Sequence, residues 1–188
     1  CHYHLGTCRE PEWGEAHCLQ DHFVYLANSS ALKVGITRAL NIPGRWIDQG
    51  ATQALPIARV KTRLLSGKVE VAAKAHMADK TNWRKMLQGV PEPIDLCAAR
   101  DQLFESIDAE LTGLIAEYGD GVELLEDDMP THIHFPVNEY PVKITSRNFE
   151  KTPEIEGVLH GIKGQYLILD SGVLNIRKFG GLEVRLQS

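Results

Sequence analysis

Two short apolar, β-branched runs, residues 23–27 (FVYLA) and 32–37 (LKVGIT), flank the polar Asn28-Ser29-Ser30. This pattern predicts a β-hairpin. Alternate residues of a strand share a face, so Phe23, Tyr25 and Ala27 form one set and Lys33, Gly35 and Thr37 another. A tyrosine and a lysine on paired strands then converge on one spot. Gly35 inside a strand marks a place where another group approaches the backbone closely.

The pattern continues with a helix over 41–50 (NIPGRWIDQG), with Asn41 as N-cap, Pro43 in the first turn and Gly50 as the stop. Arg45 and Gln49 are four apart and share a face, and Trp46 takes the buried side. Residues 54–61 (ALPIARVK) predict a third strand, which Pro56 pushes toward a sheet edge. Residues 68–78 predict a helix with Glu70, Lys74 and Met77 along one side. DKTNWRKML predicts another, capped by Asp79 or Thr81. The longest amphipathic pattern runs over 94–118. Leu96, Leu103, Phe104, Ile107, Leu111, Leu114, Ile115 and Tyr118 line its apolar side, Cys97 sits beside them as a small core residue, and the other face is acidic and solvated. After the extended THIHFP stretch, where His132 and His134 face one way without a third ligand, the texture changes. YPVKITS, IEGVLHGI, QYLILD, VLNIRKF and LEVRL read as five short strands with tight turns, a small barrel or meander. Arg177, Lys178 and Arg185 are candidates for a basic patch on it, or for a solvated strand face.

Charge changes the picture more than composition does. The 188 residues are 43% hydrophobic and 24% charged, with a net charge of −5, which fits a globular chain. No apolar run reaches the ~20 residues of a membrane span, and no signal-peptide pattern is visible. The charge is unevenly spread. Residues 21–90 carry eleven Lys/Arg against four Asp/Glu, whereas residues 91–137 carry one Arg against twelve acids. A basic segment in an acidic chain predicts either an anion-facing surface or internal docking of one segment on the other.

Residues 1–22 hold three cysteines (Cys1, Cys8, Cys18) and four histidines (His2, His4, His17, His22) and show no apolar periodicity. Thiolate and imidazole ligate structural zinc, which cross-links a segment too small to pack a core. Cys1, Cys8 and Cys18 are the expected ligands, with His4 or His17 as the in-chain fourth; free thiols on a surface arm are the alternative. The chain begins without Met, so it is expected to be a piece of a longer protein, and a position upstream of Cys1 is the alternative to His4 or His17 for the fourth ligand. Cysteines without an export signal fit a reducing, cytoplasmic compartment.

Tyr25, Lys33, Arg45 and Glu70 supply what phosphodiester hydrolysis requires. These are a group that orients or deprotonates water, cations for phosphate charge, and a carboxylate for Mg²⁺. Their order and setting, VYLANSSALKVGIT followed by a helical Arg and a helical Glu, resemble the GIY-YIG nuclease superfamily, and most of all its variant branch with K-[IV]-G-[IT] in the second strand. YLANSSALKVGITR, RWIDQGA, DKTNWRKML, GIKGQYLIL and GVLNIRKF also resemble, over nearly the whole chain, a bacterial family known only as a domain of unknown function. The nuclease resemblance covers about residues 23–90. It implies that Tyr25 orients or deprotonates the attacking water, that Arg45 contacts the scissile phosphate, and that Glu70 holds Mg²⁺ or Mn²⁺. Lys33 stands where the second motif usually has Tyr, and Asn82 is matched to a late polar residue. Two departures stand out. The first motif reads Phe23-Val24-Tyr25, without its glycine, and the interval from Arg45 to Glu70 is short.

The expectation is an α+β protein with a GIY-YIG-like small sheet and flanking helices over 23–93. A zinc segment over 1–22 precedes it, and an acidic helix and connector (94–137) and an all-β module (138–188) follow. The expected function is a metal-dependent endonuclease acting on DNA or RNA, with a degenerate site as a variant. The alternatives are a noncatalytic, zinc-containing nucleic-acid-binding protein and a protein-interaction module.

Overall fold

A computed structural model describes residues 2–77 and 80–187. The fold is α+β, with two sheets and helices packed around them.

The first sheet is built on the expected hairpin. Strands β1 (His22–Asn28) and β2 (Leu32–Arg38) pair antiparallel, with Tyr25 opposite Gly35 and Ala27 opposite Lys33. Strand β3 (Gln53–Val60) pairs with the other side of β1. Its far side takes β4 (Val122–Leu124) and β5 (Thr131–His132). The expectation that Pro56 makes β3 an edge strand is therefore wrong. A proline inside a sheet needs a place where its missing N–H is not called for. Here Pro56 sits opposite Tyr25, where the β1–β3 register slips by one residue, and on its other side it falls between the short pairings with β4 and β5.

The two faces of this sheet have separate tasks. One buries Val24, Leu26, Val34, Leu55 and Ile57 against α3 (Arg63–Lys74), α5 (Leu96–Ser106) and α6 (Asp108–Tyr118), which supply Val69, Ala73, Leu96, Leu103, Ile107 and Leu111. The other buries Tyr25, Ala27 and Ala54 against Trp46 of the short helix α2 (Gly44–Asp48) and Ala51. At about 25 cal/mol per Å² of apolar surface the first face supplies most of the hydrophobic stabilisation. The second face also carries Lys33, whereas Glu70 belongs to α3, which packs on the first face.

Helix boundaries differ from expectation for local reasons. Helix α2 begins at Gly44 after a 3₁₀ turn over Ala39–Asn41, so Asn41 is not its cap. Gly50, with φ +67°, follows it as expected. Helix α3 begins earlier than expected because the Thr62 hydroxyl accepts from the Leu65 N–H. The next helix, α4 (Trp83–Met86), is capped by Asn82, whose Oδ1 accepts from the Lys85 N–H at 3.2 Å. Thr81 instead lies 2.9 Å from the Ser29 hydroxyl, and Asp79 lies outside the described residues. The pattern over 94–118 is two helices. Ile107, at φ −122° and ψ 24°, separates α5 from α6, and Asp108 and Glu110 open α6, where carboxylates favour the positive end of the helix dipole.

The N-terminal segment contains a 3₁₀ turn (Tyr3–Leu5) and helix α1 (Pro11–Cys18). The C-terminal sheet has the order β6-β9-β8-β7, where β6 is Ser146–Arg147, β7 Leu159–Lys163, β8 Tyr166–Leu169 and β9 Gly172–Asn175. Strands β7, β8 and β9 form a meander, and β6 joins β9 in parallel. Residues 182–186, expected as a strand, form none. This sheet shares a core with α4, in which Met86 and Leu87 pack on Ile168 and Val173. Its β7–β8 turn also presses on α2. A Cβ at Gly164 (φ +59°) would come within 3.0 Å of the Asp48 carbonyl oxygen and 3.2 Å of the Gly50 nitrogen.

Candidate functional site

The expected site residues lie on the hairpin and its flanking helices: Tyr25 on β1, Lys33 on β2, Arg45 on α2 and Glu70 on α3. Tyr25 is fully buried on β1. Its ring crosses β2 over Gly35, where an added Cβ would stand 2.7 Å from both Cζ and Oη. The close approach expected at Gly35 is therefore made by the Tyr25 side chain. Trp46 of α2 meets the ring edge-on, with centroids 6.0 Å apart, an arrangement aromatic pairs favour.

The polar environment of Tyr25 comes from α2 and α3. Burial raises the pKa of its phenol. Arg45 and Gln49 face the hydroxyl and oppose that rise, and the charge of Glu70 reinforces it. The hydroxyl has no fully formed hydrogen bond, and neither has the buried Trp46 Nε1. Unpaired buried donors are uncommon in folded proteins. Here two, Tyr25 Oη and Trp46 Nε1, fall in one small cluster.

Lys33, 4% exposed on β2, lies on the same face as Tyr25. Its Nζ donates to Oε1 of Gln49. Arg45 is exposed to solvent at the site's rim. Glu70 is half-buried on α3, and its Oε2 lies 3.3 Å from Lys74 Nζ, one helical turn on. Arg45 and Glu70 are each within electrostatic reach of Tyr25, and Lys33 is tied to Gln49. Gln49 was not among the expected site residues, although its place four residues after Arg45 was the available signal. Asn82 is absorbed by its cap on α4 and by its N–H, which donates to Ser30 Oγ at 3.0 Å.

The basic segment is partly neutralised within the fold. Lys61 pairs with Asp120, and Lys68 pairs with Glu117 at 3.6 Å and donates to the Tyr118 hydroxyl at 2.6 Å. Both carboxylates belong to the acidic segment, so part of the charge asymmetry is internal docking. Arg59 pairs with Asp21, a carboxylate of the basic segment itself. These are exposed pairs, which solvent screens and which contribute little to stability.

Of the expected zinc ligands, Cys1 lies outside the described residues. Cys18 is buried at the end of α1, Cys8 is half-buried and His4 is exposed. Cys8 Sγ lies beside Gly14, one turn before Cys18 on α1, so both thiols border the same helix. Among the described residues no three His, Cys, Asp or Glu side chains come together as a metal cage. His132 and His134 are both exposed. For Mg²⁺, a single carboxylate such as Glu70 is a sufficient protein contribution when substrate phosphates and water complete the shell.

Among the described residues no helix is long and apolar enough to cross a membrane. Searches of curated proteins and of solved structures returned no match. A model of one protein family matches residues 1–184, and the chain belongs to that family, whose description is "Protein of unknown function (DUF2797)".

Proposed function

We propose that the protein is a metal-dependent endonuclease of the GIY-YIG type, acting on DNA or RNA. The observation that carries this reading is the buried Tyr25 hydroxyl, left without a full hydrogen bond and faced by Arg45 and Gln49, with the Glu70 charge close by. A phosphodiester bound at this end of the sheet meets Arg45 with its nonbridging oxygens, because guanidinium matches phosphate geometry. Lys33 adds positive charge beneath it, and Tyr25, whose hydroxyl is buried, orients water or a phosphate oxygen once binding opens this end of the sheet. Glu70 would hold Mg²⁺ or Mn²⁺. Such an ion, when bound, neutralises charge on the phosphate and lowers the pKa of bound water.

The decisive experiment is incubation of the purified chain with Mg²⁺ or Mn²⁺ and a panel of single-stranded, duplex and branched DNA and RNA. Metal-dependent products are expected, reduced at least about a hundredfold in Arg45→Ala and Glu70→Gln. Absence of products on the whole panel overturns the reading.

The pairing of Glu70 with Lys74 favours a second reading, a binding protein derived from such a nuclease. A carboxylate already neutralised by a lysine is a weaker metal ligand. In that case nucleic acid binds with affinity that falls steeply with salt, and no strand is cut. In both readings the N-terminal segment is held by zinc through Cys8 and Cys18, with Cys1 and His4 completing the set.

A further inference from the structure

A cleft of about 330 Å³ opens where α2 meets the C-terminal sheet. Asp48, at the end of α2, lines one side. Tyr166 and Leu167 of β8, with Ile176 and Arg177 just after β9, line the other. The β7–β8 turn beside it is braced: Gly164 presses on the α2 backbone, and Lys163 Nζ donates to the Gly89 carbonyl oxygen at 2.8 Å. Tyr166 belongs to an aromatic stack. Its ring centroid lies 5.5 Å from that of Trp83 on α4, with the planes 6° apart, and the Arg84 guanidinium lies 4.3 Å over Trp83. At the mouth of the cleft, Arg177 Nη1 and Asp48 Oδ2 are 3.9 Å apart and both side chains are exposed. Such a pair is loose, so each partner can turn to a ligand. An apolar, aromatic cleft with a carboxylate and a guanidinium at its mouth fits a planar ligand with N–H donors on one edge and an anion beside it, which describes a nucleotide. A carboxylate only accepts hydrogen bonds. Guanine alone among the bases offers it two adjacent donors, on N1 and N2, where the others offer one. Asp48 stands three residues after Arg45, a spacing that makes them neighbours on a helix surface. A base in the cleft therefore belongs to a nucleotide next to the one at Arg45.

We propose that this cleft is a subsite for an unpaired guanine nucleotide of the bound strand: the base stacks on Tyr166 as the next layer after Trp83, Asp48 accepts from its N1 and N2 donors, and Arg177 pairs with its phosphate. The subsite rests on the nucleic-acid reading above and narrows its substrate to strands with an unpaired guanine beside the phosphate at Arg45. A base inside a duplex is stacked on both sides and has its pairing edge taken, so only a single-stranded or flipped-out nucleotide enters. The Asp48–Arg177 pair opens on entry, and each partner exchanges the other for a group of the ligand. The cleft binds and positions, and no covalent step takes place in it.

The test is fluorescence anisotropy of the whole chain with two short fluorescein-labelled DNA strands and no added Mg²⁺ or Mn²⁺. One strand is thymine throughout and the other has a single central guanine. The guanine strand is expected to bind at least about tenfold more tightly. Asp48→Asn is expected to remove that preference, because an amide presents one acceptor where the carboxylate presents two. Arg177→Gln is expected to weaken both strands alike and to lower the slope of log affinity against log salt by about one. Tyr166→Leu keeps apolar packing on Met86 and Ile168 and is expected to weaken both strands about tenfold or more, whereas Tyr166→Phe leaves them unchanged. Asp48→Asn is an exposed substitution and carries the measurement if Tyr166→Leu does not fold. Equal affinity for the two strands overturns the proposal, as does a guanine preference that survives Asp48→Asn, or binding of neither strand below about 1 mM. Displacement of the guanine strand by free phenylalanine but not by guanosine monophosphate overturns it too and assigns the cleft to amino acids. A guanine preference lost in Asp48→Asn, in a protein that cuts no strand, supports the subsite and removes the nuclease reading. Cleavage indifferent both to guanine and to Asp48→Asn removes the subsite alone.

Discussion

Tyr25 occupies the space above Gly35 that any other residue at that position would fill, because a Cβ there would stand 2.7 Å from the Tyr25 hydroxyl. Ring and glycine face each other across the hairpin, and the site depends on both. Gly35→Ala is expected to destabilise the fold by about 1–3 kcal/mol, the usual range for overpacking, and to move the hydroxyl away from Arg45 and Gln49. Thermal unfolding of Gly35→Ala, of Tyr25→Leu and of the double variant checks this. The double variant is expected to be more stable than the sum of the single effects implies.

Tyr25→Phe separates chemistry from packing. The buried hydroxyl lacks a full hydrogen bond, and removing such a group leaves no partner stranded. The variant is expected to match or exceed the wild type in stability by up to about 1 kcal/mol and to lose activity. A loss of more than that in stability would show that the hydroxyl is structural.

Lys163 is fully buried, donates to the Gly89 carbonyl at 2.8 Å, and lies over the rings of Tyr140 and Phe135 at 5.2 and 5.8 Å. Burial pushes its ammonium down to about 8. The unfolded chain, with an ordinary lysine near 10.4, binds more protons between about pH 8 and 10.4, so stability rises with pH across that window. Relative to Lys163→Met, the wild type is expected to gain about 2–3 kcal/mol from pH 7 to pH 10.5. Parallel denaturant titrations of the two proteins check this, and identical pH dependence would contradict it.

The N-terminal thiols give a metal prediction. Purified protein is expected to carry about one zinc per chain by elemental analysis. Cys8→Ser and Cys18→Ser are expected to lose it and to unfold α1, with the sheet signal in circular dichroism retained. Full zinc occupancy in both variants would exclude these ligands.

Much of the first sheet was legible because its signals are short-range. Asn28-Ser29-Ser30 between two β-branched runs specifies the hairpin, and Gly35 announces the crossing ring. The helix break at Ile107 was not legible, since Leu103, Ile107 and Leu111 keep helical spacing through it. Apolar periodicity reports the face to be buried and not the continuity of the backbone. Pro56 misled because a proline reads as an edge signal, while the register slip that accommodates it depends on β1, thirty residues earlier. At the site, Tyr25, Lys33, Arg45 and Glu70 were visible as residue types in a family-like order. The role of Gln49 depends on the meeting of α2 and β2, which no local pattern encodes.

The β7–β8 turn at Gly164 rests against Asp48 and Gly50, at the carboxyl end of the helix that carries Arg45. That contact has a consequence for synthesis on the ribosome. The hairpin bearing Tyr25 and Lys33 can form soon after it emerges, but its neighbour α2 gains its last support only when the final quarter of the chain is out. The chain therefore carries a built-in delay between making the site's residues and bracing them. A protein cut short before β8 would hold every residue of the site without the turn that steadies it.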